Sequence, residues 1–156
     1  MDASLVIQIL RSFAEHGVEY KLVGAIALAV QGITRATQDI DFFVRPTEEN
    51  LGRVRRALGA IWEDPSIDEI RAEDLSGEYP TIRYGPPDGD FYIDLLSRLD
   101  DVFDYEAIES ETIEFEGVPV HVATPRMLHQ MKRSTLRLQD QADAEALREK
   151  FGLEND

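Results

Sequence analysis

Residues 22–44 read LVGAIALAVQGITRATQDIDFFV, and the order of residue types in this stretch decides the fold. Leu22 and Val23 close a short apolar run that stops at Gly24. An alanine-rich segment, Ala25 to Gln31, follows as a helix whose small residues let it lie close to a sheet, and Gly32 ends it. Asp39-Ile40-Asp41 then opens a second apolar strand that runs to Val44. Alternate strand residues share a face, so Asp39 and Asp41 project together while Ile40, Phe42 and Val44 face the other way. Two carboxylates on one face of a core strand are costly unless they are paired or meet a cation. A glycine turn into a helix start suits an anion, because the first backbone N–H groups there are unpaired. Acids able to bind metal, set beside a phosphate cradle, are what transfer from a nucleoside triphosphate requires.

Outward from this stretch, helices and strands alternate. Residues 4–16 carry an apolar stripe of Leu5, Val6, Ile9, Leu10 and Phe13, with Asp2 or Ser4 as cap and Gly17 as stop. Tyr20 to Val23 reads as a strand. Thr47-Glu48-Glu49-Asn50 begins another helix that turns Leu51, Val54 and Leu58 inward. Residues 60–90 are the least regular, with Ile61-Trp62, Ile70 and Thr81–Tyr84 as candidate short strands. The turn from Gly85 to Gly89 predicts a hairpin of 81–84 with Phe91–Leu96. A second hairpin joins 112–115 to 118–122 around Glu116-Gly117. Thr124-Pro125 starts a helix reaching about Leu136, and a last helix covers roughly 139–150. This order predicts an α+β fold, a mixed β-sheet flanked by helices. One domain is expected over residues 1–156, with the C-terminal helices 125–150 packed on it.

Composition narrows the function. The chain has 156 residues, no cysteine and a net charge of −15. Without cysteine, neither a disulfide framework nor a thiolate metal site can form. No apolar run approaches the ~20 residues that span a bilayer, and no signal peptide opens the chain, so the expectation is a soluble cytoplasmic protein. Residues 63–116 hold 18 acids against Arg71, Arg83 and Arg98, whereas the rest of the chain is balanced. Such a middle disfavours general binding to a nucleic-acid backbone, which needs Lys and Arg against phosphate. It leaves room for a small nucleotide, or for an RNA end on the more basic remainder, and otherwise serves as a solvated surface.

The apolar strand, Gly24-Ala25, the helical spacer and Asp39-Ile40-Asp41, with Asp94 of Phe91-Tyr92-Ile93-Asp94-Leu95-Leu96 as the best third acid, resemble the polymerase beta-like nucleotidyltransferase superfamily. Thr34-Arg35-Ala36-Thr37 before the acids is closest to small prokaryotic members, which include the nucleotidyltransferases of abortive-infection toxin–antitoxin systems. The motif covers residues 20–44, and the resemblance extends less specifically through Asp94 to the C-terminal helices. One position departs from it: Ala25 stands where Gly or Ser is usual, leaving a backbone N–H but no hydroxyl for phosphate.

The resemblance implies magnesium, as two ions about 3.5–4 Å apart or with manganese in their place, on Asp39, Asp41 and Asp94. Asp94 would also help to deprotonate the attacking hydroxyl, with Asp90 as the fallback third acid. Gly24 and Ala25 would meet the triphosphate. Arg35 and Thr37 would either touch phosphate or brace the loop. Lys132, ahead of Arg133 and Arg137, would contact the triphosphate, or else pair with Asp140 and Asp143 on the helix face. His129 either faces the site from the helix that carries Lys132 or, as expected, lies at the surface, and Trp62 is expected in packing. The implied function is NMP transfer from an NTP to a hydroxyl of tRNA or protein, in a toxin–antitoxin setting. The alternative, which Ala25 favours, is a non-catalytic nucleotide-binding or regulatory module of the same fold. So short a chain leaves little room for an acceptor domain, so a homodimer or a cognate partner protein would complete the cleft.

Overall fold

The Asp2 side chain accepts a hydrogen bond from Ser4 N and starts α1 (Ala3–Glu15), which buries Val6, Ile9, Leu10 and Phe13. The structure, a computed structural model, describes residues 2–34, 36–78, 80–87, 89–99, 102–133 and 138–153, and for 133, 138 and 139 the backbone alone. Beyond Gly17, β1 (Tyr20–Val23) runs straight into α2 (Gly24–Val30), and the chain returns through β2 (Asp39–Val44). Thr47 caps α3 (Glu48–Gly59) by accepting from Asn50 N, and the helix buries Leu51, Val54, Ala57 and Leu58.

β3 (Thr81–Tyr84), β4 (Tyr92–Leu96), β7 (Ser110–Phe115) and β8 (Val118–Ala123) complete a six-stranded sheet in the order β3-β4-β2-β1-β8-β7. β2–β4 and β1–β8 are parallel, while β1–β2, β3–β4 and β7–β8 are antiparallel, so the sheet is mixed as expected. α4 (Pro125–Arg133) and α5 (Leu138–Phe151) follow, contributing Met127, Leu128 and Leu147 to the core. Residues Leu22, Ile40, Phe42, Phe43 and Val44 are fully buried, which puts β1 and β2 at its centre.

Two expectations change. Ile61-Trp62 and Ile70 are not strands: Asp64 accepts from Ser66 N and Pro65 takes the first helical position, which favours a 3-10 turn at Pro65–Glu69. A second such turn follows at Ala72–Leu75. Trp62 does pack, with ring centroids 6.1 Å from Tyr84 and 6.4 Å from Phe91. A ribbon of β5 (Arg98–Leu99) with β6 (Phe103–Asp104) also forms, its strands too short to show a period in sequence.

The strand registers position the acids. Parallel pairing of β2 with β4 sets Asp41 beside Asp94 and Asp39 beside Tyr92. Antiparallel pairing of β3 with β4 sets Arg83 beside Asp94. Because side chains alternate along each strand, all five residues lie on one face of the sheet. On the other side of β2, Asp41 pairs with Val23, so the chain turns at Gly24 directly against it.

Candidate active site

Gly24 has φ +73°, a conformation in which an L side chain is strained. A Cβ added here would overlap Asp41 Oδ2 and stand 3.1 Å from Asp41 Cγ and 3.3 Å from its Cβ. Glycine is therefore required twice over, by the turn and by the carboxylate packed on it. The turn and the first acid form one unit, and Asp94 completes its far side through the β2–β4 register.

These groups open on a cavity of about 380 Å³ between the sheet and the C-terminal helices. Gly24, Asp41 and Asp94 lie on its floor, Leu128, Met131 and Lys132 come from α4, and Asp140 comes from α5. Lys132 Nζ is 3.1 Å from Asp140 Oδ1 and 3.0 Å from Asp143 Oδ2, with Asp143 buried. Lys132 thus pairs with the two acids of α5, and it also lines the cavity. A larger concavity of about 980 Å³ runs between α1 and α2, away from the acids.

Burial is the main reason that the Asp41 carboxyl rises from 3.8 to about 7, followed by the charge of Asp94 and a hydrogen bond with it, then the charge of Asp39; Lys132 acts in the opposite sense. The pocket is short of positive charge, and its donors are all oxygens. That chemistry fits magnesium, which takes carboxylates, phosphates and water. Even so, among the described residues no group of three or more His, Cys, Asp or Glu side chains is gathered to hold an ion.

Arg83, which the sequence reading passed over, explains part of this. Its Nε donates to Asp94 Oδ1 at 2.9 Å and its NH2 group to Asp94 Oδ2 at 3.0 Å. The same NH2 group stands 3.6 Å from Asp39 Oδ2. The available signal was alternation along β3: in a hairpin with 91–96, an inward Tyr84 leaves Arg83 on the face of the acids.

The remaining candidates divide. Thr37 braces the loop, donating to Asp39 O and accepting from Asp39 N, both at 3.2 Å, and it faces the groove beside α1 and α2. Ala25 follows Gly24 at the start of α2. Arg35 and Arg137 lie outside the described residues, as does the side chain of Arg133. Asp90 is exposed, in a separate concavity with Gly85 and Gly89. His129 is buried rather than at the surface, within the buried run Met127–His129 of α4, which packs against α5 and α2.

The profile of the AbiEii nucleotidyl transferase toxin family, type IV toxin–antitoxin system, matches residues 8–148. No curated protein matches the chain. Among solved structures, a Thermotoga maritima protein classed as a nucleotidyltransferase is similar over 97% of this chain and 96% of its own, at 17% identity and a TM-score of 0.55. ANT(2'')-Ia, solved with adenylyl-2''-tobramycin, is similar over 96% of this chain and 88% of its own, at 14% identity and a TM-score of 0.57. An antigenic nucleotidyltransferase-like protein from Paracoccidioides brasiliensis covers 94% of this chain and 75% of its own, at 16% identity and a TM-score of 0.55. At these identities the structural likeness establishes the nucleotidyltransferase fold.

Proposed function

This chain belongs to the AbiEii nucleotidyl transferase family, and on that premise we propose that it moves an NMP unit from an NTP to a hydroxyl acceptor. The observation that carries the reading is the contact of the Gly24 turn with Asp41, beside Asp94, at the floor of a cavity that Lys132 faces. Asp39, Asp41 and Asp94 would hold magnesium, as one or two ions, with manganese as a substitute. When bound, the ion supplies charge against the triphosphate and the developing oxyanions.

The chain's own residues do the rest. The N–H groups of Ala25 and Ile26 hold phosphate oxygens at the start of α2, and the absence of a side chain at Gly24 lets the phosphate approach. Lys132 adds a cation from the opposite wall. Asp94 accepts the proton of the acceptor hydroxyl as its oxygen bonds to the α-phosphorus. The bond from that phosphorus to the bridging oxygen breaks, and pyrophosphate leaves with the electron pair.

The acceptor we favour is a tRNA end or a protein hydroxyl, in a toxin–antitoxin setting. The likeness to ANT(2'')-Ia makes an aminoglycoside hydroxyl the small-molecule candidate. A homodimer or a cognate partner would close the cavity. Among the described residues no helix is long and apolar enough to cross a membrane. One observation favours the second reading, a non-catalytic nucleotide-binding or regulatory module: Arg83 grips the third acid.

The test is incubation of the protein and magnesium with each α-labelled NTP, offering total tRNA, cell protein, an aminoglycoside or buffer alone. Label transferred by the wild type and absent with Asp39→Ala/Asp41→Ala supports the enzyme and names the acceptor class. Magnesium-dependent NTP binding without transfer supports the module.

A further inference from the structure

We infer that Arg83 is the resident counter-ion of the acidic site, holding Asp94 and reaching Asp39 while no divalent cation is bound, and yielding that place when one binds. The inference rests on the metal site proposed above and adds the competitor for it. Its basis is position. Arg83 comes from β3, spans the paired residue Asp94 on β4, and reaches Asp39 on β2, so a single guanidinium links two of the three candidate ligands.

The fork uses both oxygens of a carboxylate whose side chain is only 11% exposed, whereas the Arg83 side chain itself is 54% exposed. The acid is fixed and the cation can move. Its second support is already in place: while it grips Asp94, the guanidinium carbon lies 4.6 Å from the centroid of the Tyr92 ring, an exposed aromatic on β4. A cation over a ring face keeps a weak attraction after leaving its carboxylate. A divalent ion on Asp39 and Asp94 would otherwise sit against a like charge, and that repulsion persists at the modest dielectric of a half-open site. Lys132 sits elsewhere, with its ammonium paired to Asp140 and Asp143 of α5.

The test uses the full chain, with magnesium titrated by calorimetry into wild type, Arg83→Gln, Arg83→Lys and Asp41→Asn. Removing one positive charge a few ångströms from a divalent ion is expected to tighten Arg83→Gln about tenfold over wild type. Arg83→Lys, which keeps the charge but loses the fork, should fall between them. In ¹⁵N spectra the Arg83 Nε–H resonance, identified by its loss in Arg83→Gln, should shift or broaden as magnesium saturates. Equal affinities with an unmoved resonance would overturn the inference and make Arg83 a permanent clamp on Asp94. If wild type binds and Asp41→Asn does not, that outcome leaves the metal site standing. If neither wild type nor Arg83→Gln binds magnesium, the metal site falls and this inference falls with it.

Discussion

The two ends of one strand pair, β1 with β2, are built on opposite principles. At the Tyr20–Val44 end everything is satisfied. Phe13, Tyr20 and Phe42 pack with centroids 4.6–5.6 Å apart, in a tilted and two edge-on contacts. The Asn50 side chain accepts from Glu19 N at 2.8 Å and donates to Glu19 O at 2.9 Å and Arg45 O at 3.0 Å. At the Val23–Asp41 end the same strands carry a left-handed glycine, a carboxyl pushed towards neutrality and two acids linked by one arginine. The lesson is a division of labour within about 10 Å of strand: one end holds the fold, and the other crowds acids together at a cost in stability.

The sharpest way to test that division is Asp41→Asn. Transfer should fall on the order of a thousandfold, since the variant loses a ligand and a charge. Stability should move the other way. A carboxyl held at about 7 in the fold, against 3.8 ordinarily, leaves the ion-free protein fully stable only below its ordinary range. That stability is lost as pH rises through about 7, because the unfolded chain gives up the proton first. In chelator at pH 8, Asp41→Asn should therefore be on the order of 4 kcal/mol more stable than wild type by urea unfolding, and close to it at pH 4. A variant less stable at pH 8 would mean that the acid supports the fold.

Asn50→Ala probes the other end. It strands the Glu19 N–H and takes one of two donors from the Glu19 and Arg45 carbonyls, which keep Arg45 N and Thr47 N, at a cost of ~2 kcal/mol. Transfer per folded molecule should be unchanged, and a parallel loss of activity would show the two ends to be coupled. Gly24→Ala comes next. The added Cβ must push Asp41 aside, which costs about a hundredfold in transfer if the carboxylate moves by an ångström. Magnesium titration should register the same displacement as weaker binding.

How much of this was legible follows from the kind of interaction involved. β1, β2 and β3 were read to the residue because their apolar runs end at Gly24, Asp39 and the Gly85 turn, which are local signals. Asp94 was singled out by the resemblance, as an acid within a later apolar strand, and its place beside Asp41 comes from the β2–β4 register. Arg83 was missed although the β3–β4 hairpin puts it beside Asp94, because its reach to Asp39 crosses β4 to a strand far earlier in the chain. The 3-10 turns at 65–75 were missed for a different reason: Ile67, Ile70 and Leu75 are buried one at a time, at no fixed period. His129 was misplaced because polarity alone suggested solvent, while other helices cover its turn of α4.

The smallest expected effect is at the satisfied end, where charge is densest to the eye. Arg45 lies 3.2 Å from Glu19 and 2.6 Å from Glu106, with its guanidinium carbon 4.7 Å from the centroid of the Tyr105 ring, over which Lys21 also sits. Its partners are 42% and 71% exposed, so solvent screens both pairs, and each long side chain gives up rotamer freedom to form them. Arg45→Ala should leave the urea midpoint unresolved from wild type in 0.5 M salt and barely lower it without salt. Asn50 works in the same corner with no net charge, yet its loss should dominate, because buried backbone groups have no water to turn to. If Arg45→Ala instead destabilised as much as Asn50→Ala, the fold-holding end would rest on charge too, and the contrast with the acidic end would be one of sign rather than of kind.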